Sequence, residues 1–307
     1  MTSDQCPMTT APIATLPNRD RILRMKLFFA LGSLTLSFLI GPAFAQTFRP
    51  SKSDAWVDLT HAFSAETLYW PTESGFELET KFQGFTSAGY YYVAKAYRAP
   101  EHGGTHLDAP IHFGEGRQTV DQIPLDQLTG LAVMVDVSAT VWTNRDHEVT
   151  VDDFKNWERK HRRIRTESIV LIRTGFGERW PDAERYLGTT AKGPEAVKEL
   201  HFPGLHPDAA RWLVSDRKVK AVGIDTASID HGPSRLFESH RVFCERNIPV
   251  FENVANLHQL PPTGAYVIAL PMKIKEGSGA PLRIIAQVPK RSRPKPFSTS
   301  GSAGPVF

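Results

Sequence analysis

The stretch His102-Gly103-Gly104-Thr105-His106-Leu107-Asp108-Ala109-Pro110-Ile111-His112-Phe113 constrains this chain more than any other. It holds three histidines and one carboxylate, and no cysteine. Imidazole and carboxylate together suit Zn²⁺, Mn²⁺ or Fe²⁺, and a set without thiolates tends to keep one position open for water and substrate. His102 and His106 have the spacing of a helical zinc signature. However, Gly103, Gly104 and Pro110 are poor helix residues, and no glutamate follows His102. An irregular or extended run is therefore predicted. Along an extended chain, side chains at even offsets share a face, and His102, His106, Asp108 and His112 all sit at even offsets. Pro110 then falls at a strand end or a bend. A lone histidine is ordinarily a surface or core residue. Four such groups interleaved with glycine and proline are hard to explain without a metal.

The N-terminus carries an address. Leu27 to Ile40 is an apolar run, preceded by Arg21, Arg24 and Lys26 and followed by Gly41-Pro42 and Ala43-Phe44-Ala45. Basic region, short apolar core and A-x-A site mark a secretory signal peptide, too short for a comfortable membrane span. Cleavage after Ala45 is expected, with Met25 a possible true start and an uncleaved anchor the alternative. A periplasmic or secreted protein follows. The chain divides into an extension and leader (1–45), one domain (46–288) and a basic tail (289–307) whose Pro, Ser, Lys and Arg content predicts disorder.

The whole chain has 36 basic and 33 acidic residues, a formal charge of +3, and the leader supplies part of the excess. Such a balance makes no case for nucleic acid or, after processing, for a membrane surface. Cys6 precedes the cleavage site, so Cys244 remains alone and reads as a buried small hydrophobe. No G-x-S-x-G elbow offers a rival nucleophile.

Residues 56–60, 90–96, 131–137, 168–173, 219–225, 265–270 and 283–288 read as strands, and 248–251 as a short apolar one. Residues 151–160 and 207–218 read as helices, the second with Pro207 near its start and basic residues at its end. Strands alternating with a few helices predict a mixed α/β domain. Beyond the histidine run, Asp225 and Asp230 follow a strand and read as turn or cap residues. His240 alone reads as a surface histidine. Glu252 closes a short strand, where a carboxylate is a site candidate.

HGGTHLDAPIHF resembles the signature of the metal-dependent cyclase family, which includes bacterial kynurenine formamidases and isatin hydrolases. The likeness extends from about Val57 to Val288, through Asp58-Leu59-Thr60-His61, Ile172-Arg173-Thr174-Gly175, Gly223-Ile224-Asp225-Thr226, Glu252-Asn253 and Leu270-Pro271-Met272-Lys273-Ile274. It implies an α/β fold whose mixed sheet closes into a β-barrel-like core with flanking helices, in dimers or tetramers. It implies His102, His106 and Asp108 as metal ligands, His112 as the catalytic histidine, and His240 with Glu252 completing a site for one or two ions of Zn or Mn. Trp70 resembles a substrate-contacting aromatic. Glycine stands at 103, where threonine or serine is common, and 179–206 is longer than in compact formamidases and closer to the isatin-hydrolase side.

The implied reaction is metal-assisted hydrolysis of an amide C–N bond in a small aryl formamide or cyclic amide, with His112 moving the proton. Trp70, Phe63, Phe82 and Tyr90 to Tyr92 are candidate walls of an aromatic pocket, with core or interface packing the alternative for most. A cyclase, dehydratase or lactonase of the same family, or a secreted binding protein without catalysis, are the competing expectations.

Overall fold

The computed structural model describes residues 55–289. The predicted leader, the lead-in to residue 54 and the basic tail from 290 lie outside the described residues. Its strands are β1 (Ala55–Asp58), β2 (Glu77–Phe85), β3 (Tyr91–Arg98), β4 (His106–Asp108), β5 (Thr129–Asp136), β6 (Glu148–Val149), β7 (Ile169–Arg173), β8 (Gly204–Leu205), β9 (Ala221–Ile224), β10 (Val250–Glu252), β11 (Thr263–Pro271) and β12 (Gly279–Val288).

The main sheet runs β1-β12-β11-β5-β7-β9-β10-β4, and β4 pairs back onto β12. Seven strands thus close into a barrel, while β1 extends the same edge of β12 that β4 uses. β5, β7, β9 and β10 are mutually parallel, and the remaining pairs are antiparallel. This is the mixed, closing sheet that the resemblance implies.

Side chains alternate across a strand, so each parallel strand feeds two cores. Leu107, Met134, Leu171, Phe251, Val267 and Ile284, from around the ring, fill the barrel interior. Val135, Ile172 and Ile224 face the other way, against Phe154, Leu213 and Phe243 of the covering helices. The β5, β7 and β9 sequences therefore read as continuous apolar runs.

The helix Val151–His161 shows how local signals set an element. Thr150 and Asp153 form a capping box, Asp152 and Asp153 occupy the first turn, and Arg159, Lys160 and His161 the last. Phe154 and Trp157, three apart, are its buried face, and Trp157 Nε1 donates to the Met134 carbonyl at 2.9 Å. The helix expected over 207–218 ends sooner. It is α-helical only over Pro207–Trp212 and continues as a π turn through Leu213–Arg217. Arg217 lies there over the Trp212 ring and pairs with Glu158.

Two further departures concern aromatic residues. β2 was not anticipated, and β2 and β3 form a separate two-stranded hairpin whose side chains are mostly exposed. Phe82 and Tyr90 to Tyr92 therefore lie on that exposed hairpin and do not wall the pocket.

Candidate active site and metal centre

The predicted extended run is realised only in part. His106 and Asp108 lie on β4, His102 in the bend before it, and His112 at the end of a 3₁₀ turn, Pro110–His112, that Pro110 opens. His106 and Asp108 share a face of β4 because they are two residues apart. Antiparallel pairing with β10 sets Glu252 opposite His106 and Val250 opposite Asp108. Leu107 and Phe251 point into the barrel, so the three polar side chains turn outward, toward the helix Glu238–Cys244. That helix supplies His240, which is buried and not on the surface.

Around Asp108 the ligand atoms converge. His102 Nδ1 lies 2.6 Å and His106 Nε2 3.1 Å from Asp108 Oδ1, while His240 Nε2 lies 3.1 Å from Oδ2. Glu252 Oε1 stands 3.1 Å from His240 Nε2, and Oε2 3.5 Å from His106 Nε2. Two triads result, His102–His106–Asp108 and Asp108–His240–Glu252, each with candidate ligand atoms within 4.8 Å of one another.

Each of the three imidazoles has its second nitrogen tied down. His106 Nδ1 donates to the Gly104 carbonyl at 2.9 Å. His240 Nδ1 donates to Asp230 Oδ2 at 2.6 Å. His102 Nε2 donates to Ser278 Oγ at 3.0 Å, because that hydroxyl gives its own proton to Glu101 Oε2. Each ring thereby presents its other nitrogen to the carboxylates, the outer arrangement that metal-binding histidines require. Asp230 does more than the turn or cap role read for it from the sequence. It does cap, accepting from the Ser239 and His240 amides, but it also orients His240. Asp225 is an anchor for the β7 loop, accepting from the Thr174 amide and hydroxyl and from the Gly175 amide.

Electrostatics agree with a cation site. Burial alone disfavours charge on His106, yet Asp108 and Glu252 lift it to about 9. Burial likewise opposes His240, and its bonds to Asp108, Asp230 and Glu252 raise it well above the usual histidine value. Burial and the neighbouring Asp108 push Glu252 up. Two carboxylates share one buried space, and positive charge is what stabilises both. Donor types, tied tautomers and charge all fit a divalent metal.

His112 differs. It stacks on His102 with centroids 3.8 Å apart, and no hydrogen bond ties its nitrogens among the described residues. Burial pushes it down to about 3, with the nearby imidazoles adding to that effect, so its ring is neutral.

The cluster floors a cavity of about 240 Å³. Leu68, Tyr69, Trp70, Phe113, Leu187 and Phe237 are its apolar walls. Trp70 is there as expected, edge-on to Phe202 and tilted against Phe237. Leu187 comes from the long 179–206 stretch. Phe113 closes the histidine motif, whereas Tyr69 and Phe237 had no sequence signal beyond their type.

Comparison with known proteins places the chain. A family profile described as "Putative cyclase" matches residues 57–231, and the chain belongs to that cyclase family. An isatin hydrolase of Roseibium aggregatum is 31% identical over 218 residues, covering 68% of this chain and 80% of that protein. A kynurenine formamidase of Salinibacter ruber is 28% identical over 236 residues, covering 75% and 96%. Among solved structures, isatin hydrolase A from Ralstonia solanacearum superposes with a TM-score of 0.69 at 33% identity, covering 76% of this chain and 92% of its own. An isatin hydrolase bound to the product analogue thioisatinate gives a TM-score of 0.70 at 29% identity, covering 78% and 94%. The chain is a hydrolase, and its pocket floor is a constellation suited to a divalent metal.

Proposed function

We propose that this chain hydrolyses the amide C–N bond of a small, flat, uncharged aryl or cyclic amide, of which isatin is the type. The arrangement that carries the proposal is the set of three imidazoles, each fixed at one nitrogen and aimed by the other at Asp108 and Glu252, beneath an aromatic cavity. His102, His106 and Asp108 would hold a zinc or manganese ion. His240 and Glu252 would complete that site or, together with Asp108, hold a second ion. A bound ion supplies Lewis acidity, polarising a carbonyl and acidifying water.

The chain's own groups do the rest. Trp70, Phe113 and Phe237 sandwich a planar substrate and exclude bulk water. His112, neutral and with no side-chain hydrogen bond among the described residues, accepts a proton from the attacking water as its oxygen bonds to the carbonyl carbon. It returns that proton to the leaving nitrogen as the C–N bond breaks. The product is an amine and a carboxylate, one water heavier than the substrate.

Charge favours the neutral substrate over an amino-acid one. Among the described residues, no lysine or arginine lines the cavity, and Glu73 adds a negative charge. N-formylkynurenine would bring a carboxylate with no cationic partner there. With metal supplied, kcat/KM for isatin is expected to exceed that for N-formylkynurenine, with a mass gain of one water and loss of activity to a chelator. Failure of the metal-loaded protein to open isatin or any neutral aryl amide would sink the reading. A product without added water would favour a dehydratase or cyclase. The basic, apolar and Ala43-Phe44-Ala45 leader supports export to the periplasm or beyond, with a mature N-terminus at Gln46.

A further inference from the structure

A second cavity, of about 410 Å³, opens where the parallel strands β5 and β7 end. The crevice outside the carboxyl ends of parallel strands is where α/β folds ordinarily take ligands. This cavity shares no lining residue with the catalytic one. Arg185 lines it, and Leu187, two residues on along the helix Ala183–Leu187 and so on another face, lines the catalytic cavity.

Its charge is the reverse of the catalytic cavity's. Arg173, Arg179 and Arg185 line it with one acid, Glu178. Arg173 takes Glu178 at 2.6 Å and Asp136 at 2.7 Å. Arg179 and Arg185 have no carboxylate partner in an ion pair among the described residues. Asp225, which attracts Arg179, is spent on the Thr174 and Gly175 amides. Arg145 adds a third unpaired guanidinium behind them. Arg145 and Arg179 lie over the Phe176 ring at 5.4 Å and 3.8 Å, and both donate to the Arg185 carbonyl, at 2.9 Å and 3.3 Å. Burial, and then the like charges of Arg145 and Arg185, pull Arg179 below its ordinary value. On the same cavity stands Trp142, 84% exposed, more than any other large hydrophobic residue described.

We propose that this cavity binds a small aromatic carboxylate. The planar forks of Arg179 and Arg185 match a carboxylate, and its charge relieves their mutual repulsion. Trp142 offers the ring of such a ligand a face to stack on. The volume falls in the ordinary range for small-molecule sites, about 300–1,000 Å³.

The probe is para-fluorobenzoate, titrated into the zinc-loaded full chain and followed by fluorine NMR and calorimetry. Saturable binding is expected, and it should survive a chelator. Arg185→Gln should weaken it about tenfold or more, as loss of a charged hydrogen bond does. The Arg185 side chain makes no bond within the described fold, so that variant should fold normally. Trp142→Ala should weaken binding too, and para-fluorobenzylamine should not bind. Absence of saturable binding would overturn the proposal. So would binding that the chelator abolishes, which places the probe on the catalytic metal, or binding that Arg185→Gln leaves unchanged. Inorganic phosphate that competes equally well, with Trp142→Ala unchanged, would overturn the aromatic assignment. None of these readings depends on what the catalytic cavity hydrolyses.

Discussion

Asp230 and His240 are joined twice. Asp230 Oδ2 accepts from His240 Nδ1 at 2.6 Å, and the same carboxylate accepts the backbone amides of Ser239 and His240 at the start of the helix that carries the ring. One side chain thus sets both the place of the helix and the rotation of the imidazole on it. His240 Nε2 is left facing Asp108 and Glu252.

Asp230→Asn should therefore weaken metal binding about 10–100-fold, the usual cost of losing a partner behind a ligating histidine. The asparagine oxygen can still accept the Ser239 amide, while its NH₂ replaces the oxygen that faces His240, so the helix start keeps one bond and the imidazole loses its acceptor. Competition against a chromogenic chelator measures the affinity, and an unchanged constant would remove Asp230 from the metal's support.

His106 and His112 should fail differently. His106→Ala removes a buried donor opposite Glu252 and should lower the bound metal seen by elemental analysis. His112→Ala should leave metal content near normal and reduce kcat by about 10²–10⁴-fold, as loss of a proton-transfer group does. A His112→Ala enzyme at wild-type rate would exclude the assigned role.

Gly103 shows why this chain departs from the threonine or serine of the resemblance. Its φ is +148°, and an added Cβ would sit 2.0 Å from Cδ1 of Tyr69. Tyr69 is a buried wall of the cavity, so its ring occupies the space a side chain at 103 would need. Gly103→Ser should lower stability by about 1–3 kcal/mol through overpacking. Thermal melting should show a clear loss, and the double variant that also carries Tyr69→Ala should lose less than the sum of the two single changes.

Glu158 makes stability depend on pH. Its carboxylate accepts from Arg217 Nε at 2.6 Å and Nη2 at 2.8 Å, and from the Ile164 amide at 2.8 Å. Burial pushes it up, but these donors outweigh burial and hold it below its ordinary value. A depressed acid stabilises the fold above its unfolded pKa, and the contribution is lost as pH falls through the folded one. Glu158→Gln should cost about 1–2 kcal/mol at pH 7. The gap to wild type should shrink below about pH 4 in urea titrations. A gap that persisted at low pH would assign the effect to packing.

Much of the candidate site was legible because four of its groups are local. His102, His106, Asp108 and His112 lie within one short run, and glycine and proline there disfavour an α-helix. The helix over 151–161 was legible for the same reason, since a capping box and end charges act within a turn. His240 was singled out only through family resemblance, and Glu252 beyond a strand-end candidate only so, because nothing near them distinguishes a candidate ligand from a surface histidine or a strand-end acid.

What the sequence determined by itself was the donor chemistry and the apolar parallel strands, both set by composition and spacing over a few residues. Tertiary structure alone decided three further points. Register across β4 and β10 sets Glu252 beside His106. A long-range carboxylate at Asp230 turns His240 inward. Barrel closure commits β4 between β10 and β12, and leaves the aromatic β2–β3 hairpin outside in solvent. Each depends on pairing between segments far apart in the chain, where the free energy comes from burying a shared face and not from any local preference.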